Sequence, residues 1–248
     1  MNLLPLNFFT DIGQSIADWF LDIGDSFYNT LIAENRWMMF VKGLGNTLII
    51  ALFATLIGIV IGTLVAIVRV YCVQTGRLKP LNWLLSLYIT IFRGTPVVVQ
   101  LMIMYYAIFA SVTNGVPVAI LAFGINSGAY VAETVRSGIM AVDKGQTEAG
   151  QSLGLGSAAV MRLIVLPQAI KNILPALGNE FIALLKETSV VGYITIVDVT
   201  RVADLVRSRT YDQFFPLLVV AVIYLVLVIG ITQLLKIAER RLAKSDRR

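Results

Sequence analysis

Two runs of 21 residues, Leu48–Val68 and Phe215–Leu235, contain no charged side chain. A helix of about 20 apolar residues crosses a hydrocarbon core roughly 30 Å thick. Only a helix or a closed barrel satisfies every backbone N–H and C=O there. Runs of this length therefore direct the chain to an all-α integral membrane fold. Composition agrees, with 57% hydrophobic residues, 14% charged residues and a mean hydropathy of +0.80. Such a charge deficit excludes an ordinary soluble enzyme and a disordered chain.

Three further spans complete the expected set. Between Gly94 and Ala132 lie 39 uncharged residues, interrupted by the turn-forming stretch Ser111–Pro117. One span is expected over 81–110, with a break at Arg93-Gly94-Thr95-Pro96, and another over 118–138. The weakest by hydropathy is 168–191, which carries Lys171, Glu180, Lys186 and Glu187. With 46–69 and 215–235 this makes five.

The lysines and arginines of the short loops suggest the orientation. Arg69, Arg77 and Lys79, then Lys144 and Arg162, then the end of the chain from Lys236 to Arg248 fall on one side. That side is expected to be cytoplasmic, which puts the N-terminus outside. The segment 192–214 has three arginines and three aspartates and is locally neutral. Residues 1–45 are expected as a lead-in on the outer face, either an interfacial amphipathic helix over Asp11–Trp37 or a poorly ordered segment. The membrane-spanning body is expected over 46–240, and 241–248 is a basic tail.

Several chemistries are excluded. The chain has no histidine, so it has no histidine-based triad, imidazole metal site or histidine relay. Its single cysteine, Cys72, makes no internal disulfide or cysteine cluster. The net charge of +5 is spread around apolar runs, which fits membrane topology and gives no reason to expect nucleic acid. No phosphate-binding G-x-x-x-x-G-K-[S/T] loop is present, so ATP is not hydrolysed by this chain.

The 139–167 segment is too patterned for a plain connector. Asp143 can cap a helix over Lys144–Leu153, and Gly154 and Gly156 can end it. Ser157 can cap a second short helix that stops before Pro167. Together they would form a knob presenting Glu148, Ala149, Leu153 and Leu155.

The spacing of this segment, Glu148-Ala149-Gly150, three residues, Gly154, nine residues, Ile164, one residue, Leu166-Pro167, closely resembles the EAA motif of ABC importer permeases. Gly150 replaces the alanine at the third position, another small residue. Phe92-Arg-Gly-Thr-Pro96, the stretch Ala122–Arg136, Lys186-Glu-Thr-Ser-Val190 and Arg207-Ser-Arg-Thr-Tyr211 resemble the polar amino-acid branch of that family (histidine, arginine or glutamine type). The similarity covers roughly residues 40–240. It implies type I importer permease architecture and a second permease subunit, identical or homologous. It also implies two ABC ATPase subunits that dock on Glu148, Ala149, Gly150, Gly154 and Leu155. ATP and magnesium would sit on those partners, and this chain would bind no cofactor. An external binding protein would deliver the amino acid, and the location would be a bacterial cytoplasmic membrane.

Polar groups inside spans mark a candidate path, because an unpaired charge there is costly. Arg93 and Thr95 lie at the helix break, where the next half-helix could meet an α-carboxylate. The alternative is a kink with Arg93 paired to an acid. Asn126, Tyr130 and Thr134 share one face of the third span, and Glu133 can pair with Arg136. Gly124 and Gly128 permit close helix packing. In the fourth span Asn172, Ala176, Asn179, Ala183 and Lys186 form a stripe, and Glu180 lies beside it. Glu180 either meets an ammonium group or pairs internally with Arg93 or Lys171. Lys186 and Glu187 are gate candidates. The leading expectation is an ATP-driven importer permease for a polar amino acid. The rivals are an ion-coupled secondary amino-acid transporter, a membrane scaffold and, more remotely, a membrane enzyme.

Overall fold

The computed structural model describes residues 22–244. A helix over 22–27, a π turn at Tyr28–Ile32 and a 3-10 turn at Ala33–Asn35 precede the first span. The ring of Phe27 meets Phe215 edge-on, which ties this segment to the last span. The rest of the expected lead-in, residues 1–21, and the last four residues of the basic tail lie outside the described residues.

The first long helix, α1, runs Trp37–Thr75, nine residues longer at its start than the expected span. Lys42 ends the uncharged run in the sequence but stands exposed on the helix, where its long stem carries the ammonium outward. Gly76, with φ of 65°, terminates α1 in the left-handed conformation that glycine adopts freely.

The second expected span is two helices. Here α2 (Lys79–Gly94) and α3 (Val97–Ile108) meet at 107°, so 81–110 is a bent pair and not one rod. Pro96 explains the break, since it lacks an N–H and pushes Thr95 into an extended conformation.

Next, α4 (Gly115–Met140) is capped by the Asn114 side chain, which accepts from Val116 N–H at 3.1 Å. It runs parallel to α1 and packs tightly on it, through glycines. A Cβ on Gly58 would lie 2.7 Å from Ser127 Oγ, and one on Gly124 would lie 2.7 Å from Ile57 Cγ2. The glycine spacing noted at 124 and 128 thus marks a close helix contact. Around it Ile50, Ala54, Leu101, Ala122, Phe123 and Leu184 form the largest buried cluster.

After α5 (Lys144–Ser152), a helical turn at Ser157–Val160 (α6) continues through a π turn at Met161–Val165 into α7 (Leu166–Glu187). The expectation that the second loop helix stops before Pro167 is therefore corrected. The π turn closes Leu166 N–H on Met161 O, and Pro167 then sits in the first turn of α7, where its missing N–H costs little. Ser157 is likewise not the capping residue: Gly156 holds that position, with no side-chain cap. The helix from Ser157 extends to Ile194 as one long element, its end a 3-10 turn.

A helix absent from the expected set, α8 (Val199–Thr210), occupies the presumed 192–214 loop. Asp198 caps it, accepting from Thr200 N–H at 3.1 Å and Arg201 N–H at 2.9 Å. Its apolar face, Val199, Val202, Ala203 and Val206, buries against Phe40 and Val220. Finally α9 (Phe215–Lys244) returns through the bundle, well past the expected end at 235. Among the described residues four helices are long and apolar enough to span a membrane, five if the bent pair is taken as one span.

Candidate functional site

The bend between α2 and α3 leaves backbone carbonyls without helical partners. Side chains take them up. Gln100 Nε2 donates to Phe92 O at 3.0 Å, to Thr95 O at 3.1 Å and to Thr95 Oγ1 at 2.7 Å. Asn126 Nδ2 donates to Phe92 O at 3.0 Å and to Gln100 Oε1 at 2.8 Å. Thr95 Oγ1 donates back to Ile91 O at 2.8 Å. Each amide thus satisfies groups that would otherwise be stranded in an apolar bundle. The guanidinium of Arg93 lies 5.2 Å over the Tyr130 ring, a cation–π contact.

One residue further along α4, Ser127 Oγ donates to Glu180 Oε1 on α7 at 2.8 Å. Arg93, Thr95, Asn126, Tyr130 and Glu180 are therefore drawn around the middle of α4. The Arg93–Glu180 pairing held open as an alternative is not formed: Arg93 stacks on Tyr130, and Glu180 bonds Ser127.

Glu133 belongs elsewhere. Its carboxylate bonds the Arg136 guanidinium and lies 3.6 Å from Arg69 Nη1 on α1. It balances two arginines where α1 and α4 approach the 139–167 loop. Tyr88 adds a fixed strut, donating to Ile125 O at 2.6 Å. Gln100 and Ser127 were missed in the sequence, although both are neutral polar residues in apolar helices and Ser127 adjoins Asn126.

On α7 the polar stripe faces away from the core. Asn172, Asn179 and Lys186 are exposed, while Ala169, Ile173, Ile182, Leu184 and Leu185 on other faces are buried. Glu187 is half-buried beside Lys186.

The first loop helix is formed as expected, and it sits as a knob against the start of the long helix that replaces the second one. Asp143 Oδ1 accepts from Gly145 N–H at 2.6 Å and caps α5. Gly154 takes a φ of 83°, and Leu155 N–H returns to Gly150 O at 3.1 Å. Glu148 and Ala149 are exposed, and Leu153 is 82% exposed. Leu155 is half-buried and Gly150 is buried. A Cβ at Gly150 would lie 2.7 Å from Ile164 Cδ1 and 3.0 Å from Val160 Cγ2, so glycine there lets α5 settle on the start of the next helix. Two positions of the motif, Gly150 and Ile164, are thus in direct contact.

Asp198, beyond the spans, is fully buried. Burial pushes its carboxyl above the usual aspartate range, against the opposing pull of the Arg201 and Thr200 N–H groups.

The chain is similar to known proteins. The chain is 40% identical over 207 residues to a putative glutamine transport system permease of Rickettsia conorii, covering 82% of this chain and 92% of that one. It is 38% identical over 208 residues to the arginine transport system permease of Bacillus subtilis, with 83% and 93% covered. Against the crystal structure of an amino acid ABC transporter with histidines the TM-score is 0.76 at 43% identity, covering 82% of this chain and 94% of that chain. Inward-facing MetNI methionine ABC transporter structures, at 21% identity and TM-scores of 0.68 and 0.72, share the fold. The family described as "binding-protein-dependent transport system inner membrane component" matches residues 58–244, three quarters of the chain. With the broken span, the glycine-packed bundle and the loop knob in place, the chain belongs to that family, as the non-catalytic permease subunit of an ABC transporter whose ATPase is a separate chain.

Proposed function

We propose that this chain carries a polar amino acid across the bacterial cytoplasmic membrane, along a route past Glu180. The carrying observation is the polar layer at the middle of α4, where Asn126 joins the α2–α3 break and Ser127 joins Glu180. Such a layer offers fixed hydrogen-bond groups to a zwitterion: Glu180 suits the ammonium group, and the break near Thr95 suits the carboxylate. Relatives named for glutamine and arginine support a polar amino acid as the substrate class.

The exposed stripe on α7 supports a second permease subunit. Asn179 and Lys186 on a spanning helix face need water or protein, not lipid. A path between two permease chains supplies both. Lys186 and Glu187, near the other end of α7 from the loop, are the proposed gate. Two ATPase subunits dock on the knob at Glu148, Ala149 and Gly154, and an external binding protein delivers the substrate at the opposite face. The N-terminus is external and the knob cytoplasmic, in line with the basic loops. Membership of a binding-protein-dependent family favours this reading over an ion-coupled transporter.

The test is ATP hydrolysis by the purified transporter in vesicles, with glutamine, arginine, lysine, histidine, glutamate and cystine each added with and without the binding protein. Stimulation by one amino acid through the binding protein is expected. Uptake driven by a proton or sodium gradient, with no dependence on ATP, overturns the reading.

A further inference from the structure

A cavity of about 630 Å³ lies where the ends of α1 and α4 meet the knob. It is separate from the polar layer around Glu180. Arg69 and Gln74 from α1, Arg136 from α4, and Lys144, Gln151 and Ser157 from the knob line it. The remaining wall is largely apolar, with Val70, Val73, Ile139, Met140 and Val142.

The charge of this lining is one-sided. It contains three cations and no carboxylate. Glu133, just behind it, pairs with both Arg69 and Arg136 and so offsets one unit. Asp143, next to Lys144, turns back onto the Gly145 N–H. With Asp143 also counted, a surplus of one positive charge remains.

The position of the cavity bears on its occupant. It sits at the ends of two helices long and apolar enough to span a membrane, beside the exposed, apolar Val73 and Met140. Anionic headgroups gather in basic pockets between spans at this depth. A phosphate on an acyl-bearing molecule matches both halves of the lining, with oxygens for the arginines and Lys144 and chain for the valines and Met140. A free phosphate matches only the first half.

We propose that this cavity binds the headgroup of an anionic phospholipid. The bound lipid bridges α1, α4 and the knob, and so fixes the stance of the knob relative to the spans. The inference does not rest on the substrate path, but it rests on the cytoplasmic side proposed above for the knob.

The experiment is native mass spectrometry of the intact transporter complex released from nanodiscs of phosphatidylethanolamine mixed with phosphatidylglycerol. The wild type is expected to retain phosphatidylglycerol in excess of its share of the disc. Lys144→Gln, an exposed substitution that leaves the fold alone, is expected to reduce that retention about fivefold, the effect of one basic group near a charged headgroup. Lys42→Gln, the same loss of charge at the far end of α1, is the control and is expected to retain the wild-type level. Equal retention in all three proteins, or an equal drop in both variants, overturns the proposal. Loss of the retained lipid on adding inorganic phosphate alone assigns the cavity to a soluble anion and overturns the lipid reading.

Discussion

Ser127 on α4 and Glu180 on α7 are joined by a 2.8 Å hydrogen bond across the centre of the bundle. Their helices run antiparallel, and a glycine on α1 makes room for the serine: a Cβ on Gly58 would lie 2.8 Å from Ser127 Cβ. Three spans therefore meet at one acid. Glu180→Gln keeps a hydrogen-bonding group for Ser127 but removes the charge. It should weaken substrate affinity by about tenfold or more, since a hydrogen bond to a charged group is worth about 1.5–3 kcal/mol. Uptake kinetics in vesicles check this, and unchanged affinity and selectivity would remove Glu180 from the path. Ser127→Ala should give a smaller change in the same direction.

Gly62 meets α4 more closely still. A Cβ there would lie 2.5 Å from Val131 Cβ and 2.7 Å from Gly128 O. Backbone and a β-branched side chain cannot both yield, so Gly62→Ala should destabilise by about 1–3 kcal/mol. Gly45→Ala, with open space around its site, should be neutral or slightly stabilising. Thermal unfolding in one detergent decides, and equal midpoints for the two variants would refute the close packing.

At the knob, Gly154 holds a φ of 83°. A side chain there costs about 1–2 kcal/mol of local strain, confined to the turn. Gly154→Asp combined with Glu148→Lys should abolish co-purification of the ATPase while the variant permease still folds, with an unfolding midpoint only a few degrees lower. Normal recovery of the ATPase with the double variant would take the docking role away from these residues.

Asp198 predicts a pH dependence. Its folded carboxyl titrates above the ordinary aspartate value, so the folded state holds the proton more tightly than the unfolded state. The stability contribution is then fully present below the unfolded value, about 3.9, and is lost as pH rises through the raised folded value. Asp198→Asn keeps a capping side chain and should flatten that fall. Unfolding midpoints measured from pH 4 upward for both proteins test it, and parallel curves would exclude Asp198 as the source.

The spans with no charge were the most legible part of the sequence, because their length and hydropathy report the solvent directly. The knob was legible for a different reason: Asp143, Gly154 and Gly156 have local backbone roles that depend on few neighbours. What escaped notice depends on distant partners. Helix α8 is short and mixed in charge, and only Phe40 and Val220 make its apolar face meaningful. The run from Ser157 through Pro167 reads as broken unless the π turn is known. Gln100 and Ser127 are neutral, so a search for charges in spans passes over them, although they make the bonds that assemble the polar layer. Glu133 was conspicuous for its charge, and its partner Arg69 lies 64 positions away on another helix.

The helix that begins at Ser157 is continuous with the one that carries Glu180. The separation along its axis is about 35 Å at 1.5 Å per residue. This makes the element a lever. A tilt of about 1° imposed at the knob moves the far end by roughly 0.6 Å over that length. Mechanical work applied at one surface can thus reach the bundle centre as rigid-body displacement, without a relay of side chains. The shaft is interrupted at two places, the π turn with Pro167 and, five residues before Glu180, Pro175, each of which removes a backbone bond from it.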